Sequence, residues 1–211
     1  GLDPEMVPAL VEAAHARGLP IGFHVETRAD FRVIAEAGAD FAMHLPAYGL
    51  VFGEEGREAR RLTEADAQAA AASGLMAIPT YTVAALRLEA AINDPEREVD
   101  PAAADALQAL QAHNIAVLHE AGVPILTGTD ASEGSVPTEL EYWVDIGAMS
   151  DGEAAQAGFA TAARLFPDRR LGCFAPGCEA DFIVLGADPS EDISAVRDVR
   201  LRVKAGEPIP A

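Results

Sequence analysis

With 211 residues, half of them apolar, the chain is long enough to bury the core of one domain, or of one domain with a small appendage. The formal net charge of −19 argues against nucleic acid and anionic membrane surfaces as partners, because both would repel the chain. The sequence contains no uninterrupted apolar run of about 18 residues, so it predicts no transmembrane helix. We expect a cytoplasmic protein that acts on a small molecule.

The first part of the chain repeats one unit, which is a helix, a turn and a short apolar strand. Helices are predicted to begin at Asp3 with Pro4 and at two capping boxes, Thr27 with Asp30 and Thr63 with Asp66. The strands that follow are predicted at residues 19–25, 40–45, 75–80 and 123–129, the last of them after helices at 82–92 and 101–121. Strands that alternate with helices predict a parallel α/β sheet or barrel.

The pattern changes after Asp130. Two further helices are predicted at 137–147 and 151–166, the second with a capping box of Ser150 and Glu153. Residues 181–185 and 199–203 then alternate as strands of a small antiparallel element do. The sequence thus predicts a partial barrel over residues 1–170 and a C-terminal β element over residues 171–211.

Cys173 and Cys178 are the two cysteines of the chain, and no other cysteine or histidine lies near them in the sequence. Two cysteines alone cannot complete a zinc site. We expect two structural thiols in a reducing compartment, with a local disulfide as the alternative.

Three of the four predicted strands end in a polar residue that a buried strand does not need: His24, His44 and Asp130. Side chains alternate between the two faces of a strand, so each is expected to share its face with a small residue two positions earlier. Bulky residues of the same strands are then expected to point outward to the helices; they are Ile21, Phe23, Phe41, Met43 and Ile125.

Sites of parallel α/β folds assemble at the C-terminal ends of the strands. Two imidazoles and a carboxylate at such a place suit a divalent ion such as zinc. Asp130 could also accept a proton from water bound to that ion. His15, His113 and His119 lie on predicted helices and are expected to be surface or packing residues.

The same residues carry a resemblance to the amidohydrolase superfamily, in its imidazolonepropionase-like and dipeptidase-like branch. The similar stretches are Phe23-His24-Val25-Glu26, His44-Leu45-Pro46, residues 125–131, residues 157–163 and residues 177–185. The resemblance implies the C-terminal half of a (β/α)8 TIM-type barrel, with strands equivalent to five to eight, followed by part of a small β-sandwich element. It implies that His24, His44 and Asp130 bind one or two divalent ions, zinc being favoured, and that Asp130 transfers the proton. The reaction it implies is hydrolysis of amide, cyclic amide or peptide-like C–N bonds by metal-activated water.

The chain departs from that family because it has no His-x-His pair and no lysine before the tail, where Lys204 stands. The first four barrel strands are therefore expected to be absent, and the chain to be a fragment that is inactive when isolated. Its open strand edges predict a homo-oligomer or a complementing N-terminal half. The loops that the resemblance places at the substrate pocket hold Thr80, Tyr81, Ser132 and Glu133, and the last three are the expected substrate residues.

Two alternatives stay open at this point. A non-catalytic half-barrel acting in assembly would leave the polar strand ends without a metal. A phosphate-binding (β/α) enzyme would need a glycine-rich turn before a helix N-terminus, of which Gly134-Ser135 is a poor version.

Overall fold

The computed structural model of the chain describes residues 2–50, 53–96, 98–130 and 135–210. Within these ranges the α-helices are α1 (Val7–His15), α2 (Arg28–Glu36), α3 (Glu54–Glu58), α4 (Glu64–Ser73), α5 (Thr82–Asn93), α6 (Pro101–Glu120), α7 (Val136–Asp145) and α8 (Asp151–Phe159). The strands are β1 (Gly22–His24), β2 (Phe41–Met43), β3 (Met76–Ile78), β4 (Phe182–Leu185), β5 (Val199–Lys204) and β6 (Glu207–Ile209).

The first three strands form a parallel sheet in the order β1-β2-β3. The predicted fourth strand pairs with β3 through a parallel bridge between Ala77 and Ile125. All four strands are shorter than the sequence predicted, although backbone hydrogen bonds such as His44 N–H to Ile78 O continue the pairing beyond β2. The chain is a mixed α/β protein, as predicted.

The three predicted capping boxes are confirmed at the N-termini of α2, α4 and α8. In each, a hydroxyl accepts from the backbone of the third helical residue, and that residue's carboxylate accepts from the cap's own N–H. The predicted helix at 151–166 is divided: α8 ends at Phe159 and a 3-10 segment, Thr161–Leu165, follows. Such tighter turns are common at helix C-termini.

The core lies between the parallel sheet and the helices around it. Its fully buried large side chains include Phe31 of α2, Leu118 of α6 and Trp143 of α7. Ile21 and Phe23 are partly buried against this cluster, so these two side chains do point toward the helices as predicted.

The outward orientation predicted for Phe41 and Met43 is wrong. The register pairs Gly22 with Phe41 and His24 with Met43, and paired residues of parallel strands face the same side. A Cβ placed on Gly22 would lie 2.9 Å from the Phe41 Cβ. The prediction failed because it continued the alternation through His44, whose φ of 73° takes it out of the strand.

The C-terminal β element is an antiparallel sheet in the order β4-β5-β6, and β6 was not predicted. Before it, Cys173 and Cys178 form a disulfide with a Cα–Cα distance of 6.0 Å, so the expectation of two thiols is wrong. Since both sulfurs are bonded, the cysteines give no argument for a reducing compartment. Among the described helices, none is both long and apolar enough to span a membrane.

Candidate metal centre

The sequence-predicted polar residues lie together at the C-terminal ends of the parallel strands. His24 is the last residue of β1, and His44 directly follows β2. Asp130 lies shortly after Ile125, whose backbone forms the bridge to β3. Thr80, two residues beyond β3, completes a row of polar side chains at four neighbouring strand ends.

Three of these four residues have left-handed backbone conformations. The φ angles are 73° at His44, 53° at Thr80 and 47° at Asp130. For residues other than glycine this conformation is uncommon, and for a β-branched residue such as threonine it is an outlier that costs on the order of 1–3 kcal/mol. Such strain collects at functional sites, where the surrounding structure holds it in place.

His44 is the residue that joins the others. Its ring centroid lies 4.8 Å from that of His24, and its Nε2 lies 3.7 Å from Asp130 Oδ2. Its Nδ1 is 2.5 Å from Thr80 Oγ1, and its ring stacks on Tyr48 with centroids 4.2 Å apart. One imidazole therefore contacts a second imidazole, faces a carboxylate with one nitrogen and is held by a hydroxyl through the other.

His44 is buried, with only 4% of its residue surface exposed. Desolvation lowers its pKa, and the neighbouring His24 lowers it further, while the carboxylates of Asp130 and Glu26 act in the opposite direction. The lowered pKa favours the neutral ring, which is the form of histidine that binds metals.

The donor set fits a divalent ion in chemistry and is incomplete in geometry. Two imidazoles and a carboxylate are ordinary zinc ligands, whereas two donors of one tetrahedral ion would be separated by roughly 3.3–3.5 Å. The 3.7 Å between His44 Nε2 and Asp130 Oδ2 is slightly wider. Within the described residues, no group of three or more His, Cys, Asp or Glu side chains is arranged to hold an ion.

Glu139 of α7 is a residue that sequence reasoning missed. It is fully buried, and its carboxylate accepts from the backbone N–H groups of Tyr81 (2.9 Å) and Thr82 (2.6 Å), from the Thr82 hydroxyl and from Trp143 Nε1 (3.0 Å). Desolvation raises its pKa to about 7 against these donors. In the sequence it is an ordinary acid in the first turn of a helix, so no local signal identifies it.

The three expected substrate residues have different outcomes. Tyr81 is fully buried, with its hydroxyl donating to Pro46 O at 2.9 Å, so its side chain contacts the interior and offers no exposed surface to a substrate. Ser132 and Glu133 lie outside the described residues.

The remaining histidines lie away from the C-terminal ends of the parallel strands, and each contacts a residue of a neighbouring segment. His15 pairs with Asp40 at 2.9 Å, and His119 pairs with Glu153 at 3.3 Å. His113 hydrogen-bonds the carbonyl of Leu62 at 2.8 Å.

A cleft of about 610 Å³ adjoins the candidate centre along the edge strand β1. Its lining includes Gly22 and His24 from β1, with Leu2, Val7 and Ile34 from the segments beside it. In the described part of the chain, β1 is paired on one side only, with β2. His24 thus lies where the candidate centre meets an uncovered sheet edge.

Comparison with known proteins places this chain in a family. The family model that matches is the Amidohydrolase family, over residues 1–208. The chain belongs to that family. A comparison with curated protein sequences finds no match.

Solved structures extend the comparison. An Xaa-Pro dipeptidase with bound methionine in its active site is 26% identical, with a TM-score of 0.74 over 100% of this chain and 49% of that one. The ochratoxinase of A. niger is 26% identical, with a TM-score of 0.72 over 98% and 45%. A molinate hydrolase shares the fold at 19% identity and a TM-score of 0.68, over 99% and 46%. The chain spans about half the length of these structures.

Proposed function

We propose that this chain forms part of a metal-dependent hydrolase of C–N bonds in amides, cyclic amides or peptide-like compounds. The observation that carries the proposal is the convergence of His24 and Asp130 on the buried His44 at the ends of the parallel strands. Membership of the amidohydrolase family supports the same reaction class.

Each of the three residues has a role that follows from its position. His44 and His24 would hold a divalent ion, zinc being the expected one, through neutral ring nitrogens. When bound, such an ion polarises a carbonyl and lowers the pKa of a water molecule. Asp130, with a side chain 57% exposed, is accessible to that water and would take its proton and pass it to the leaving nitrogen.

Peptide-like compounds are the first substrates to test. Among the similar structures is an Xaa-Pro dipeptidase, so dipeptides with a C-terminal proline are the starting panel. Neutral amides and cyclic amides of similar size would show whether the preference is for the peptide group or for the proline ring.

We propose further that a complementing barrel half completes the working site. The uncovered edge of β1 and the adjoining cleft are the surface such a half would cover, through a parallel strand paired with β1. The isolated chain is then expected to have little or no hydrolytic activity, and a second copy covering the same edge would be seen as a homo-oligomer.

Zinc content tests the site directly. The purified chain would be loaded with zinc, desalted and measured by elemental mass spectrometry, together with His24→Ala and Asp130→Asn. We expect zinc in the parent chain and a clear loss in both variants. His119→Ala is the matched control, because that histidine pairs with Glu153 on the surface away from the strand ends.

The outcomes separate the two leading functions. Equal zinc in the parent chain and in both site variants would contradict the metal centre. If none of the chains holds zinc even when a complementing half restores the barrel, the non-catalytic assembly role would replace the hydrolase.

A further inference from the structure

The hydroxyl of Thr80 lies between two polar atoms deep in the candidate centre. Its Oγ1 is 2.5 Å from His44 Nδ1 and 2.7 Å from the carbonyl oxygen of Pro79. Both His44 and Thr80 are buried, at 4% and 5% exposure, so the hydroxyl is largely shielded from solvent. The position of its one proton therefore decides which His44 nitrogen is protonated.

Only one placement of the protons is consistent with both contacts of the Thr80 hydroxyl. The Pro79 carbonyl can only accept, so the short contact with Thr80 Oγ1 requires the hydroxyl to donate to it. The hydroxyl must then accept from His44, which places a proton on Nδ1. The reverse arrangement would bring two oxygens to 2.7 Å with no proton between them.

The same tautomer explains how His44 faces Asp130. With Nδ1 protonated, the neutral ring carries its lone pair on Nε2. That nitrogen lies 3.7 Å from Asp130 Oδ2, which is beyond hydrogen-bond distance. Two acceptors thus face each other, and a cation between them would satisfy both.

Thr80 is held in its left-handed conformation by the residues that follow it. The backbone N–H groups of Tyr81 and Thr82 both donate to the buried Glu139 carboxylate. The Tyr81 hydroxyl donates to Pro46 O, two residues after His44, and so ties the β3 loop to the β2 loop. Glu139 is thereby linked to His44 through the backbone that carries Thr80.

We propose that Thr80, fixed by Glu139, is a positioning residue that locks His44 in the Nδ1–H tautomer and presents Nε2 as an unprotonated donor. The tautomer is a property of the chain itself, and only its use in metal binding rests on the proposed hydrolase. Outer hydrogen bonds of this kind orient metal-binding histidines in many proteins, and their loss typically lowers metal affinity about 10–100-fold.

Long-range proton–nitrogen correlation spectra of the ¹⁵N-labelled, metal-free chain test the tautomer. They would be recorded near pH 8.5, about two units above the ordinary histidine pKa. His15→Gln, His24→Gln, His113→Gln and His119→Gln spectra assign the other four rings and leave His44. We expect a protonated Nδ1 and a pyridine-like Nε2 for His44. A protonated Nε2 with a bare Nδ1 would overturn the proposal.

Variants test the residues. Thr80→Val removes the hydroxyl at nearly constant shape and should return His44 to a mixture of tautomers, with zinc affinity about 10–100-fold lower in a chelator competition. Thr80→Ser keeps the hydroxyl and should restore the Nδ1–H signal. Glu139→Gln, which weakens the acceptor for Tyr81 and Thr82, should shift the His44 signals toward those of Thr80→Val.

The outcomes distinguish this proposal from the proposed function. If His44 keeps the Nδ1–H tautomer in Thr80→Val, Thr80 does not set it and the proposal is wrong. If Thr80→Ser restores the tautomer while no chain binds zinc, the positioning role stands and the metal centre is contradicted. If Glu139→Gln folds and leaves the His44 signals unchanged, the link through Glu139 is removed from the proposal.

Discussion

The parallel sheet and the C-terminal β element differ in the burial and backbone conformation of their polar residues. At the strand ends of the sheet, His44 and Thr80 are buried, and both have left-handed backbones, as does the exposed Asp130. In the β element, Asp181 forms ion pairs with Arg169 and Lys204, whose side chains are 37% and 55% exposed.

This contrast separates stabilising contacts from functional ones. Surface ion pairs contribute little free energy, typically about 0–1 kcal/mol, and need no strain to form. Buried, strained polar groups destabilise a fold unless their surroundings satisfy them, so their presence indicates another use. Substitutions in the parallel sheet and in the β element should therefore affect stability and metal binding in different proportions.

The largest effect is expected at Glu139. Glu139→Ala leaves three buried N–H donors without their acceptor, on Tyr81, Thr82 and Trp143, besides the Thr82 hydroxyl. Each orphaned donor costs about 1–3 kcal/mol, so the free energy of unfolding should fall by about 3 kcal/mol or more. Urea denaturation followed by circular dichroism measures this loss.

Glu141→Ala is the matched control on the same helix. Glu141 pairs with Arg197 at 2.5 Å in an exposed ion pair, and its removal should cost no more than about 1 kcal/mol. Equal losses in the two variants would contradict the distinction between buried and surface acids.

Glu139 should also give stability a pH dependence. Burial raises its pKa from 4.5 to about 7, so the folded protein holds a proton that the unfolded chain has released between these values. This contribution is fully present below about pH 4.5 and is lost as the pH rises through 7. Between those limits the free energy of unfolding of the parent chain should fall, relative to Glu139→Gln, by roughly 2–3 kcal/mol.

The measurement is a set of urea titrations of both chains from about pH 4.5 to pH 8. The glutamine chain is its own control, because it keeps every other titrating group. Parallel curves for the two chains would mean that Glu139 is ionised throughout this range and that its four donors outweigh burial.

Removal of the disulfide is expected to have an intermediate and local effect. The bond closes a loop with a sequence separation of 5, for which chain entropy gives about 2 kcal/mol. Cys173→Ser with Cys178→Ser should therefore increase hydrogen exchange around residues 170–182 and leave the His44 spectrum unchanged. A thiol titration of the unfolded parent chain, with and without reductant, checks that the bond is present. Altered His44 signals in the double variant would show that the two regions are coupled.

The sequence predicted the order of elements and the polar strand ends because both depend on local patterns. Capping boxes at Thr27, Thr63 and Ser150 are set by residues three apart, and each is confirmed. The orientation of Phe41 and Met43 was missed because alternation fails where the left-handed His44 ends the strand.

The buried hydrogen bonds of Glu139 were missed for a different reason. Its partners Tyr81 and Thr82 are 58 and 57 residues away in sequence, and no local pattern records a contact at that separation. The expectation of two thiols was wrong because five-residue spacing permits a disulfide without requiring one. In the chain as a whole, local rules predicted the elements, whereas the long-range contacts that hold the candidate centre needed the structure.

The smallest change in stability is expected at Asp130. Asp130 has a φ of 47°, a conformation that glycine adopts without steric cost. Asp130→Gly should therefore leave stability unchanged or raise it by up to about 1 kcal/mol, while the loss of the carboxylate lowers zinc binding. Asp105→Gly, an exposed position within α6, should instead cost about 1 kcal/mol and leave zinc binding intact. A residue with a purely structural role cannot give the result expected for Asp130→Gly, because its removal would lower stability. A destabilised Asp130→Gly chain with normal zinc binding would therefore mean that Asp130 has a structural role, like the surface residues of the β element.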